Sequence, residues 1–195
     1  MLSKQAMIDG TPANIRARKM IAMDVLNALD GKKFIAKNQR GFVVVPKDLA
    51  LRIKNSPQSS LKGMLPKDEA CEVCAMGALF VAMVRRYDQL KCEELLPEMA
   101  RIPRRIGYDL DFYDLDFHGN IIQAKLELIF GGNIRKIETV FERQDGENAD
   151  TKLKSVMHNI LFNKGYFLPS NQPPDNWKPR RAKIKPAPAS NCLKE

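Results

Sequence analysis

The sequence is poor in the residues that carry most enzyme chemistry. It holds two histidines, four cysteines and one tryptophan in 195 residues. It has no G-x-x-x-x-G-K-[ST] loop to cradle phosphates and no G-x-G-x-x-G turn for a dinucleotide. It also lacks a G-x-S-x-G elbow and an H-E-x-x-H zinc pair, so reactions that depend on these short motifs have no foothold in it. No apolar run reaches the roughly 20 residues of a membrane-spanning helix. Met1 to Gly10 is too short and too polar for a secretory leader, and the expectation is a reducing cytoplasm with free thiols. No segment repeats, which excludes a solenoid. Acidic residues are in deficit: 23 Asp and Glu face 32 Lys and Arg, a formal net charge of +9. Such a surplus biases encounters toward nucleic acid or acidic proteins.

One stretch stands out against this background. From Ala70 to Val84 the chain is apolar except for Glu72. The pattern predicts a helix with Asp68 as N-cap, Glu69 and Glu72 in the first turn, and Arg85 and Arg86 in the last, charges placed as the helix dipole favours. A helix apolar on every side must be covered on every side, so it is expected at the centre of the molecule. Ala75, Gly77, Ala78 and Ala82 let neighbours approach closely, while Leu79, Phe80 and Met83 fill the gaps.

The rest of the chain is arranged around it. Thr11-Pro12 predicts a helix start, with Gly31 as the stop after Asp30; Ala17, Ile21, Val25, Ala28 and Leu29 make its buried face. Phe34–Ala36 and Phe42–Val45 flank a polar turn and read as a β-hairpin ended by Pro46. Lys47–Lys54 reads as a short helix, and 55–66 as a loop. The segment from Cys92 to Arg101 is helical in composition but broken by Pro97. Asn120–Phe130 reads as a helix ended by Gly131-Gly132, and Asn133 caps the next, with Ile134, Ile137, Val140 and Phe141 inward. Leu153, Val156, Met157, Ile160 and Leu161 form the apolar stripe of a last helix stopped by Gly165. The fold class expected is mainly α: a single small helical domain around a buried central helix, with one minor β-hairpin. The domain spans 11–168, with an N-terminal arm at 1–10. From Pro169 to Glu195 prolines recur, and six basic residues outnumber two acidic ones. This reads as a disordered basic tail.

Three constellations invite chemistry. Cys71-x-x-Cys74 is a zinc half-site, a redox pair, or two small core residues; with no second ligand pair and no βαβ pattern around it, core packing is preferred. Asp109, Asp111, Asp114 and Asp116 alternate with bulky residues and could hold a divalent ion, but the calcium-loop pattern fails for want of a Gly and a third oxygen ligand. An acidic surface segment with its bulky residues inward is preferred. His118 and His158 belong to no triad and read as core or rim residues. No catalytic residue, metal ligand or cofactor is therefore assigned.

The basic residues point to a partner. Arg16, Arg18 and Lys19 crowd the start of the first helix, where cations oppose the dipole. Arg104 and Arg105 make a basic turn. Trp177 stands among Lys178, Arg180, Arg181, Lys183 and Lys185, an arrangement that can stack on bases and neutralise phosphates or dock on an acidic protein.

Cys71-Glu72-Val73-Cys74-Ala75-Met76-Gly77-Ala78-Leu79-Phe80 resembles a C-x-V-C-A-x-G-A-L-F segment of an uncharacterised group of small phage and bacterial proteins. Ile21–Leu26 is similar to that group's first helix, Ile137–Glu142 to its later I-E-x-x-F-E segment, and Met157–Leu161 to its closing helix. The likeness covers Arg16 to Leu168 and leaves out the basic tail. It implies a phage or bacterial, cytoplasmic origin and no established activity. The function expected is non-enzymatic binding: a phage accessory factor that engages a host nucleic acid or acidic protein, with no membrane. The alternative is a metal-dependent enzyme built on Asp109–Asp116.

Overall fold

The computed structural model describes residues 11–38, 42–65, 70–87, 90–94, 112–116, 120–142 and 148–179; for 42–50, 112–116 and 120–122 it describes the backbone alone. Among these residues the chain is mainly helical, as its periodicity predicts. The helices are α1 (Pro12–Asp30), α2 (Lys47–Asn55), the single turn α3 (Leu61–Met64), α4 (Ala75–Tyr87), α5 (Asn120–Phe130), α6 (Asn133–Glu142) and α7 (Ala149–Phe162). The strands are β1 (Phe34–Ala36), β2 (Phe42–Pro46), β3 (Cys71–Val73) and β4 (Phe112–Asp116). No helix among the described residues is long and apolar enough to cross a membrane.

Helix boundaries follow local chemistry. Thr11 Oγ1 accepts the Asn14 N–H and Pro12 occupies the first turn, where its missing N–H costs nothing. At the far end the Gly31 N–H returns to the Asn27 carbonyl. Asn148 caps α7 by accepting the N–H groups of Asp150 and Thr151.

The apolar run divides rather than forming one helix. Cys71–Val73 is strand β3, and α4 begins at Ala75. Asp68, expected as the cap, lies outside the described residues. Cys74 takes the capping place: its Sγ accepts the Gly77 N–H at 3.3 Å and its carbonyl accepts the Ala78 N–H at 2.8 Å. Periodicity cannot separate a short buried strand from a buried helical turn. Here sheet pairing decides, because β3 supplies backbone partners on both sides.

Those pairings also correct the hairpin. Both expected strands are present, but β3 lies between them, and the sheet order is β1-β3-β2-β4. β1 runs parallel to β3, with Phe34 opposite Cys71 and Ala36 opposite Val73. β2 is antiparallel to β3 and to β4, with Val43 opposite Val73 on one side and Leu115 on the other. A lone two-stranded hairpin is marginal in water, whereas four strands backed by helices are not. The outer edge of β1 is protected: its Ala36 N–H donates to Asp150 Oδ1 at the start of α7, 2.9 Å away. An edge amide that would otherwise invite strand addition is thereby satisfied.

Helix α4 is central, as expected from its composition: every residue from Ala75 to Val84 is buried. It lies against α1, α5, α6 and the sheet. Ile21, Val25 and Leu29 of α1, Ile134, Ile137 and Phe141 of α6, and Leu153, Val156, Met157 and Ile160 of α7 belong to the same core. Arg86 at the end of α4 donates twice to Asp24 of α1, both at 2.7 Å. The paired geometry fixes the rotation of one helix against the other. α1 and α7 run antiparallel, with Lys154 2.8 Å from Asp30 at one end. At the other end Gly165 lies against Ile15, where an added Cβ would meet the Ile15 carbonyl at 2.9 Å. Its φ of +103° is a second reason for glycine there.

Ala78, fully buried on α4, gives a direct check of this architecture. Ala78→Asp should lower unfolding free energy by about 3 kcal/mol or more, because the carboxylate finds no water and no partner. Urea unfolding followed by circular dichroism reads the loss, and a variant as stable as the parent would contradict a central α4.

Candidate anionic-partner surface and its anchoring clasp

The expected binding residues separate by environment. Arg16 and Lys19 are exposed on the first turns of α1. Arg18, between them, is fully buried and is withdrawn from any partner surface. Its Nε donates to the Ile129 carbonyl at 2.6 Å, and its guanidinium lies 5.5 Å from the centre of the Tyr166 ring. Asn14, one turn earlier, donates to the Leu128 carbonyl at 3.0 Å. Both acceptors sit in the last turn of α5, where carbonyls lack helical partners and the dipole is negative. A cation that looks misplaced at the start of α1 is therefore well placed at the end of α5. A sequence shows a helix's own dipole but not the neighbour whose end lies beside it.

Arg104 and Arg105 lie outside the described residues, as do Arg180, Arg181, Lys183 and Lys185. Trp177 and Lys178 are described, and they change the reading of the tail. Expected disorder from Pro169 gives way, as far as Pro179, to a strap laid along α7. Three asparagines that the sequence analysis did not single out hold it there. Asn159, fully buried on α7, donates to the Leu168 carbonyl at 2.8 Å and to that of Asn171 at 3.1 Å, while its Oδ1 accepts the Leu168 N–H at 2.8 Å. Asn163 donates to the Asn171 carbonyl at 3.0 Å, and the Asn171 side chain donates back to Asn163 Oδ1 at 2.6 Å. Proline forbids regular structure but not docking; the strap's backbone groups find side-chain partners in place of a ladder. The one signal in the sequence is Asn159 and Asn163 at i, i+4, beside an apolar stripe and just ahead of a proline-rich stretch.

Trp177 closes the strap. Its N–H donates to the Pro174 carbonyl at 2.8 Å. Its ring meets His158 edge-on at 5.9 Å and Phe162 at 5.5 Å, and it remains partly exposed. Burial pushes the His158 imidazole below its ordinary value, with Asp30 opposing that shift and Lys154 adding to it. Lys178 is exposed immediately beyond, and Lys164 is exposed two residues past Phe162. Lys164 follows the end of α7, next to Gly165, which lies against Ile15 of α1.

Two of the thiols have structural places, while Cys192 lies outside the described residues. Cys74 caps α4, and Cys71, buried on β3, directs its Sγ to the Lys33 carbonyl at 3.6 Å. Burial pushes the Cys71 thiol up despite Arg85 nearby, and does the same to Cys92. Raised thiols at buried positions are poor nucleophiles. No cluster of three or more His, Cys, Asp or Glu that could hold a metal is found among the described residues. Of the aspartate run, Asp114 and Asp116 lie on β4, which pairs with β2, while Asp109 and Asp111 are outside the described residues, as is His118. A shallow cleft of about 80 Å³ opens between the end of α4 (Met83, Val84, Tyr87) and α5 (Lys125, Leu128, Ile129). Its one charged residue, Lys125, is 3.4 Å from Glu94.

Two outcomes test the clasp. Asn159→Ala should cost about 2 kcal/mol, since the Leu168 N–H and two carbonyls lose a buried partner; chemical denaturation measures it, and Asn163→Ala should couple with it in a double-mutant cycle. For His158, the folded pKa lies below the unfolded one. Its contribution to stability is complete above the ordinary value of about 6.5 and is lost as pH falls through the lowered folded value. His158→Phe should therefore flatten the fall in melting temperature below neutral pH relative to the parent.

Compared with protein-family models, with curated proteins and with solved structures, the chain finds no match.

Proposed function

We propose that the chain is a non-enzymatic binding protein that engages an anionic macromolecule, nucleic acid or an acidic protein. In the phage setting that the sequence resemblance implies, the partner belongs to the host and the chain is an accessory factor. The observation that carries this reading is the anchoring of the basic segment. The asparagine clasp and the edge-on contacts of Trp177 fix where the segment leaves the domain. Lys178, exposed, and the cations that follow it in sequence therefore start from a set point beside Trp177. A run of basic residues joined in sequence to a fixed anchor concentrates positive charge, which raises encounter rates with anionic partners. The structural uses of the buried thiols and of Arg18 also support a scaffold. The competing reading, a metal-dependent enzyme on Asp109–Asp116, predicts a divalent ion that raises the melting temperature at stoichiometric concentration.

On this reading the residues up to Pro179 carry the clasp and the cations beyond it carry most of the salt-dependent affinity. A chain ended after Pro179 should keep its melting temperature, whereas one ended after Leu168 should lose stability with the clasp. On duplex DNA each phosphate neutralised contributes a log–log salt slope of about −0.9, so losing Arg180, Arg181, Lys183, Lys185 and Lys194 should flatten the slope by up to about 4.5. Fluorescence anisotropy of labelled DNA and RNA at several salt concentrations, on both chains, measures this. No binding by the full chain at low salt removes nucleic acid and leaves an acidic protein as the partner.

A further inference from the structure

We propose that Trp177 is a stacking platform for a base of single-stranded nucleic acid. This inference rests on the anionic-partner reading and names the form of the partner. Trp177 is the chain's only tryptophan. It lies outside regular structure, yet its place is fixed from two sides. Its backbone N–H is tied to Pro174, with Pro173, Pro174 and Pro179 restricting the chain around it. Its ring meets those of His158 and Phe162 nearly at right angles, with interplanar angles of 76° and 82°. A tryptophan needed only to fill the core would be buried with it. This one is partly exposed and stands apart from the continuous core, while Phe130, Phe141 and Phe167 are inside.

The charges around the ring suit a nucleic-acid strand. Lys178 is exposed beside it and Lys164 lies two residues past Phe162. Lys154 is engaged with Asp30, and burial favours the neutral form of His158, so neither adds a free charge against the ring. Asp175 is the one acid within the same turn of the strap. A partly exposed aromatic ring with basic residues next to it in the chain can take a base and its neighbouring phosphates, the combination used by sequence-tolerant single-strand binders. In a duplex the bases already stack on one another and present no free face. An acidic polypeptide offers charge to the lysines but nothing flat to the indole. Preorganisation adds to the case: the ring loses little freedom on binding because the clasp has already ordered it.

The single tryptophan is its own reporter. Oligo-dT titrated into the full chain should quench and shift Trp177 emission, while a duplex of equal phosphate count and poly-glutamate should leave it nearly unchanged. Trp177→Phe keeps a ring against His158 and Phe162 and should melt like the parent, yet bind labelled oligo-dT more weakly. Trp177→Ala should bind about 5- to 100-fold more weakly, the range set by base–aromatic stacking. Oligo-dT binding that leaves the emission unmoved, or that is equal in parent, Phe and Ala variants, overturns the stacking role while sparing the anionic-partner reading. Failure of all three anions to bind at low salt overturns both.

Discussion

An apolar helix with no polar face has to be enclosed, and that requirement organises this molecule. Ala75–Val84 offers water nothing, so α1, α5, α6 and the sheet close around it, each giving one apolar face. The small residues of α4 let those neighbours come near; the cost is that each neighbour arrives with its own unpaired backbone groups. Enclosing one helix brings the ends of several others into the interior or to its edge, where water cannot satisfy them all.

Polar side chains answer that problem at each junction. Asn14 and Arg18 of α1 take the last carbonyls of α5. The Cys74 thiol and carbonyl start α4, and Asp150 closes the edge of β1 while sitting in the first turn of α7. Asn159, Asn163 and Asn171 do the same for a strap that has no ladder of its own. These residues would read as surface groups or binding groups if judged by type alone. Each instead supplies a hydrogen bond to a backbone group that has no partner in its own helix or ladder.

Other cations on the same helices have no such place in the interior. Arg18 is consumed by the fold; Arg16, Lys19, Lys164 and Lys178 are exposed. α1 and α7 run antiparallel, and Gly165 lets the chain turn tightly against Ile15.

Much of this was determined locally, and so was legible in the sequence. Thr11-Pro12 and Gly31 bound α1, the stripe from Leu153 to Ile160 faces inward on α7, and α4 is buried throughout, because caps, periodicity and apolar content act over a few residues and carry their own energies. Trp177 and Lys178 were legible as an aromatic among cations, although the ordered strap that holds them was not. Other features depended on partners far along the chain. Cys71–Val73 is a strand only because β1 and β2 flank it, and the two expected hairpin strands pair through it rather than with each other. Arg18 is interior because the end of α5, 111 residues away, needs a donor. The Pro-rich segment docks as far as Pro179 because Asn159 and Asn163 wait on α7 with amides of the right reach. Local rules fix where an element begins and which face is apolar; only the tertiary structure decides which orphaned backbone group a given polar side chain will meet, since that pairing is set by distance in space and not along the chain.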